Sequence, residues 1–170
     1  MTISMYEASL PAFIHSFGSL KAILQKGAAH AEARKFDASV LVNSRLFPDM
    51  LALARQVQIA SDVAKGAAAR LSETEPPKFA DTETTIPELI ARIDKTVDYL
   101  KRFKAAQIDG SEDRNVVVKT PRGDFSFTGL TFLRQWALPN FYFHVVTAYN
   151  LLRHNGVEIG KADYLAGPQG

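Results

Sequence analysis

Apolar residues recur every three or four positions through most of this chain, and this period constrains its fold more than any other feature. In the first segment the apolar series is Tyr6, Leu10, Phe13, Phe17, Leu20, Leu24 and Gly27. Such a spacing places one apolar stripe along a helix and predicts that the stripe packs against other helices. Pro11 interrupts the series, so we expect the helix to start later or to kink near this residue.

Two further helices are predicted in the middle of the chain. After a connection over residues 36–44, Pro48 and Asp49 are typical of a first helical turn, so a second helix should start at Arg45 and carry a stripe that ends at Leu71. Residues 72–84, rich in proline and acidic residues, indicate a surface linker. A capping box of Thr85 and Glu88 then starts a third helix.

The last third of the chain predicts a hairpin followed by a final helix. Asp109-Gly110 should end the third helix, and the β-branched and aromatic runs between Asn115 and Phe127 surround a Pro and Gly turn. The helix that starts at Thr128-Gly129 is apolar on nearly every side and should be covered all round, with a kink or break at Pro139. We therefore expect an all-α protein, a four-helix bundle with a small β-hairpin inserted before the last helix.

Length and composition limit the classes of function. The 170 residues fit one domain, residues 1–170, and the 20 basic and 18 acidic side chains create no large field of one sign. Nucleic-acid binding and membrane insertion are therefore not expected, and without cysteine there is no disulfide or thiolate metal site. The N-terminus shows no secretory signal, which favours the cytoplasm.

Asn140 and His144 are the two residues of the chain that are most suited to bind a ligand or take part in catalysis. They are four residues apart on the last helix, so both side chains lie on one face. A histidine inside a helical bundle can be a metal ligand, a general base or a hydrogen-bonded core residue, and the last of these is the most common. His15, His30 and His154 are expected at the surface or at helix ends.

A row of polar residues, Arg55, Gln58, Asp62 and Lys65, follows one side of the second helix. It predicts either a solvated face with weak ion pairs or one wall of an internal pocket, in which Gln58 and Asp62 help to hold a ligand or support His144. The sequence has no motif of a phosphate-binding loop, a zinc protease, an esterase or a calcium loop.

The order of these elements, together with the strings Pro139-Asn140-Phe141-Tyr142-Phe143-His144 and Leu152-Arg153-His154-Asn155-Gly156-Val157, resembles an uncharacterised bacterial family within the DinB/YfiT-like metalloenzyme superfamily. The resemblance implies a bundle that is often dimeric, with a divalent metal held by one histidine of the second helix and an H-x-x-x-H pair on the fourth. In this chain that pair is Asn140 and His144, and the second helix has no histidine.

Three hypotheses follow. The first is a homodimeric DinB-like protein with a degenerate metal site and no cofactor, which binds a small molecule near His144, Asn140, Gln58 and Asp62. The second is a divergent metal-dependent or thiol-dependent transferase, in which His144, the one remaining candidate histidine ligand, is joined by other groups as ligands or proton-transfer groups: Asp62, Gln58 or Asn140. The third is a structural protein that pairs through the hairpin or an exposed helix face. The sequence does not decide whether the protein is an enzyme.

Overall fold

The computed structural model describes residues 3–166, which form a mostly helical protein with one antiparallel hairpin. The elements, in chain order, are α1 (Leu10–Arg34), α2 (Ser39–Asn43), α3 (Leu53–Ser72), α4 (Ile86–Leu100), α5 (Ala105–Ile108), β1 (Asn115–Thr120), β2 (Gly123–Thr128), α6 (Gly129–Thr131), a π-helical segment (Phe132–Ala137), α7 (Leu138–His154) and α8 (Lys161–Leu165).

The long helices α1, α3, α4 and α7 enclose the hydrophobic core. Helix α3 packs against both α4 and α7, and α1 packs against the same two helices from the other side. Phe13 and Phe17 of α1 meet Phe141 of α7 edge to face, with ring centroids 4.7 and 5.1 Å apart. All three rings are fully buried, so this aromatic cluster fixes α1 against α7.

The first helix confirms the later of the two predicted starts. Helix α1 begins at Leu10, which places Pro11 in the first turn, where the amide that proline lacks has no helical partner anyway. The predicted stripe is buried from Leu10 to Gly27. The helix ends where Lys35 adopts a left-handed conformation with φ of 57°.

The predicted start of the second helix is wrong. Residues 45–52 are not helical, with turns and bends over residues 46–50, and the helix begins only at Leu53, whereas the predicted connection contains the short helix α2. Pro48 disfavours helical geometry at Phe47, and the amide of Leu53 donates to the carbonyl of Ser44, which closes the intervening segment as a loop. Proline and aspartate are therefore turn residues here and not the first turn of a helix.

The third helix starts as predicted and ends earlier. Thr85 accepts a hydrogen bond from the amide of Glu88, whose carboxylate in turn accepts one from the amide of Thr85. The helix ends at Leu100 and not at Asp109-Gly110, since the chain bends and continues in α5. This bend allows Phe103 and Ile108 to reach the core together.

The hairpin is confirmed, with Asn115 opposite Thr128 and Thr120 opposite Gly123.

The predicted break at Pro139 is also confirmed, because the chain passes from α6 through the π-helical segment before α7 begins at Leu138. Proline cannot donate to the preceding turn and its ring crowds the carbonyl there, so the wider turn lies where a regular helix would be strained.

The prediction that the last helix is covered all round is wrong for the described residues. The side chains of Phe143 and Val146 on α7 are 57% and 39% exposed. They are three positions apart and therefore lie side by side. No helix within residues 3–166, α7 included, is long and apolar enough to cross a membrane.

Candidate functional site

Two of the predicted site residues, Asn140 and His144, lie along the seam between α3 and α7. Gln56, Val63 and Arg70 follow one another every seven residues, so they share the face of α3 that meets α7. Gln56 contacts His144 near the start of α3, and Arg70 lies over Phe132 near its end. The two helices therefore run in opposite directions, and the seam has a histidine end and an arginine end.

His144 is held in one tautomer at the histidine end. The amide nitrogen of Gln56 donates to the carbonyl of Leu51 at 2.9 Å, so the amide oxygen faces the imidazole. His144 Nδ1 lies 2.7 Å from that oxygen and must donate to it, because an oxygen only accepts. The lone pair of the neutral ring is therefore on Nε2, to which no side chain within residues 3–166 is hydrogen-bonded.

The environment of His144 opposes protonation. Its residue is 8% exposed, and burial lowers the pKa of the imidazole from 6.5 to about 4, with a smaller contribution from the positive charge of Arg55. The ring is consequently neutral at physiological pH. It can accept a hydrogen bond through Nε2, but it is a poor proton donor in that range.

Gln58 and Asp62 are not hydrogen-bonded to His144. The Gln58 amide donates to Glu83 at 2.9 Å and accepts from Arg55 at 2.7 Å. Asp62 forms ion pairs with Lys65 at 2.8 Å and Arg92 at 3.0 Å. The residue that orients His144 is Gln56, which the sequence reasoning did not identify; a role of Gln58 and Asp62 in ligand binding remains a prediction.

The polar row of α3 is covered by the linker and by a buried arginine of α4. The Arg92 side chain is 1% exposed and pairs with Asp62, Asp81 and Glu83, each at 3.0 Å. Burial acts to raise the pKa values of Asp81 and Glu83, but the hydrogen bonds and charges of their arginine partners outweigh it and lower both. Within the row Gln58 and Lys65 are buried, whereas Arg55 and Asp62 stay partly exposed, so the row is more than a solvated face with weak ion pairs.

Phe79 of the linker completes this covering. Lys65, Arg92 and Lys95 surround its ring at 4.3, 5.6 and 4.2 Å from the centroid. Arg92, like Gln56, is a residue that sequence reasoning missed. The signal was its position three residues after Leu89, on the apolar stripe of α4, where an arginine needs buried partners.

A cleft of about 210 Å³ opens beside Asn140, between α3, α7, the π-helical segment and the hairpin. It is lined by Asp62, Val63, Arg70, Val118, Phe132, Trp136 and Asn140. The structure thus brings Asn140 and Asp62 to one cleft, whereas His144 and Gln58 do not line it. Within residues 3–166 the side-chain amide of Asn140 has no hydrogen-bond partner, so it is free to meet a ligand.

The residues of the seam do not fit the metal that the family resemblance implies. Within residues 3–166 no group of three or more histidine, cysteine, aspartate or glutamate side chains could hold a metal ion. Asn140 stands where the first histidine of the H-x-x-x-H pair is expected, and an amide is a weak ligand for a transition metal. One nitrogen of His144 is already occupied by Gln56.

The other histidines lie away from the seam. His15 and His154 are exposed, as predicted, and Nε2 of His15 lies 3.0 Å from the carbonyl oxygen of Leu165. His30 is half-buried near the end of α1, with its ring edge-on to Phe36 at 5.8 Å. None of the three lies near His144 in a set of ligands within the described chain.

Comparison with known proteins gives a family and a fold. The model of the domain of unknown function DUF1993 matches residues 5–165. The crystal structure of a DinB family member protein from Shewanella denitrificans is 44% identical in sequence and similar in fold, with a TM-score of 0.86. The match covers 94% of this chain and 90% of that one. No curated protein matches the chain.

Proposed function

From the premise that this chain belongs to the DUF1993 family and has a DinB-like fold, we propose that it is a four-helix-bundle protein with a degenerate metal site, which binds a small organic molecule in the cleft beside Asn140. In this proposal α1, α3, α4 and α7 are the four helices of the bundle. The ligand lies between α3 and α7, one helical turn from His144.

The observation that carries the proposal is the free amide of Asn140 in a cleft walled by Phe132 and Trp136. Small-molecule sites are concave and mostly apolar, with a few polar groups that orient the ligand. A π-helical segment often occurs at functional sites, and here it supplies both aromatic walls. Val118 of the hairpin also lines the cleft, which gives the inserted hairpin a role in shaping it.

The degenerate metal site is supported by the state of His144. A neutral imidazole that donates to Gln56 is already used as a core hydrogen-bonding group. A single further nitrogen does not hold a divalent ion tightly, because tight sites combine three or four ligands. We therefore infer that His144 orients the start of α3 against α7, one helical turn from the ligand site, without binding a metal.

Metal content tests this part of the proposal. Protein purified without a histidine tag should contain less than one tenth of an equivalent of any transition metal, by mass spectrometry of the digested sample. His144→Ala should leave this content unchanged. A stoichiometric metal that disappears in His144→Ala would overturn the proposal and favour a metal-dependent transferase.

Occupancy of the cleft is tested by nuclear magnetic resonance. Trp136 is the only tryptophan of the chain, so its indole N–H gives one assignable signal at the cleft. Titration with benzyl alcohol, a small neutral probe, should shift this signal saturably. Asn140→Phe, which fills the cleft, should abolish the shift, whereas Gln25→Phe on the exposed side of α1 should not. A shift that persists in Asn140→Phe would contradict a ligand site at this position.

We also propose that the protein is a homodimer that pairs through the exposed side of α7. Phe143 and Val146 expose large apolar surfaces side by side, and a second copy is the partner that covers both. Phe143→Lys should reduce the molar mass measured by light scattering from two chains to one. Val117→Lys, on the outer face of the hairpin, is the control. If Val117→Lys dissociates the assembly and Phe143→Lys does not, the hairpin is the interface.

A further inference from the structure

Arg70, at the arginine end of the seam, is a cation without a counterion. No side chain within residues 3–166 forms an ion pair or hydrogen bond with its guanidinium. Asp62 is the one acidic residue that lines the cleft, and its carboxylate is already paired with Lys65 and Arg92. Burial lowers the pKa of Arg70, yet an arginine remains charged at any physiological pH. The cleft therefore holds a fixed positive charge that the protein itself does not neutralise.

The guanidinium of Arg70 is held in place by its surroundings. A Cβ atom at Gly66 would lie 2.5 Å from Nη1, so the guanidinium packs against the bare backbone of the preceding helical turn. On another side the ring of Phe132 lies 5.9 Å from Cζ. The planar fork of a guanidinium loses less freedom per hydrogen bond formed than an ammonium does, and the donors of Arg70 have no partner in the described chain.

The other residues that line the cleft determine which kind of anion it can bind. Val63, Val118 and Trp136 present apolar surface, and Asn140 offers one amide. One cation in a largely apolar cleft matches a singly charged group, whereas a phosphate dianion would carry a second negative charge that no cation lining the cleft balances. Arginine binds a carboxylate through two parallel hydrogen bonds, which fits the planar fork of Arg70.

We propose that the cleft binds a small organic monocarboxylate, with its carboxylate on Arg70 and its apolar part against Trp136 and Val118. This inference rests on the proposed function, since it assigns the chemical class of the ligand in the same cleft. The volume of about 210 Å³ limits the ligand to a short chain or a single ring.

Fluorescence of Trp136 tests the assignment, with hexanoate as the probe and hexanamide as its neutral counterpart. Hexanoate should change the fluorescence saturably, and hexanamide should bind at least about tenfold more weakly because it lacks the charge that pairs with Arg70. In Arg70→Gln the affinity for hexanoate should fall to that for hexanamide. Arg102→Gln, an exposed arginine away from the cleft, should bind both probes as the unmodified protein does.

Gly66→Ala provides a second variant that keeps the charge and moves it. Its methyl group displaces the guanidinium, so hexanoate should bind at least about tenfold more weakly.

Retained hexanoate binding in Arg70→Gln and Gly66→Ala would overturn the inference, as would the absence of hexanoate binding to the unmodified protein. Equal binding of hexanoate and hexanamide would overturn the carboxylate assignment alone and leave the cleft as a site for neutral ligands. Loss of every response, including that to benzyl alcohol, would overturn the proposed function as well.

Discussion

Acidification from pH 7 to pH 5 should destabilise this protein through His144. The folded protein holds the pKa of this imidazole at about 4, against the ordinary value of 6.5 in an unfolded chain. A depressed pKa means that the unfolded state binds the proton first, so the stabilising contribution is complete above pH 6.5 and is lost as the pH falls toward 4. At pH 5 the two states differ by nearly one proton, and about 1.5 pKa units at ~1.4 kcal/mol each give a loss of about 2 kcal/mol.

Urea unfolding followed by circular dichroism at pH 7, 6 and 5 measures this loss. His144→Gln removes the titrating group and should reduce the pH-dependent loss by about 2 kcal/mol, whatever its stability at pH 7. His154→Gln, at an exposed histidine, should keep the full pH dependence. If the unmodified protein and His144→Gln lose the same free energy between pH 7 and pH 5, then His144 is not held neutral by burial and the reasoning fails.

Two substitutions test the contacts on either side of α3. Gln56→Leu leaves the Nδ1 hydrogen of His144 without its acceptor and should lower the free energy of unfolding by about 1–3 kcal/mol in urea titrations; an unchanged value would mean that the bond does not form. Arg92→Met leaves three carboxylates without their shared cation and should cost about 2–4 kcal/mol, less than a fully buried pair because two of them are partly exposed. Lys95→Met, which loses only a contact with Phe79, should stay within about 0.5 kcal/mol, and equal losses in both variants would contradict the central role of Arg92.

Local signals predicted the parts of the fold that depend on neighbouring residues. The stripe of α1, the capping box at Thr85 and the strands around the Pro and Gly turn are all determined within a few residues. The start of the second helix was not predictable in this way. Pro48 and Asp49 fit a first helical turn and a loop equally well, and the loop is selected by its closing hydrogen bond from Leu53 to Ser44.

The candidate site depends on which faces of the helices meet, and the sequence period alone does not decide this. Gln56 and Gln58 are two residues apart, so their side chains point about 200° apart around the helix axis. The first faces His144, and the second faces Glu83 of the linker. The polar row was therefore identified correctly as a row, but it faces α4 and the linker, whereas the face toward α7 carries Gln56 and Arg70.

For Asn140, too, the sequence predicts its position on the helix, but only tertiary packing creates the cleft beside it. Its spacing from His144 predicted that the two share one face of the last helix. The cleft at Asn140 also needs Phe132 and Trp136 from the π-helical segment, and Val118 from the hairpin. The sequence predicted a break in the helix near Pro139. Tertiary contacts determine in which direction the π-helical segment then points these two rings.

We propose that the seam between α3 and α7 is a site for an organic ligand and not a metal centre. A crystal structure of the protein grown with both hexanoate and zinc chloride tests it most directly. We predict density for a carboxylate on Arg70 with its chain against Trp136, and an imidazole of His144 that contacts only Gln56 among polar partners. Zinc bound to His144 with water or Asn140 as further ligands, and a cleft without hexanoate, would contradict the account.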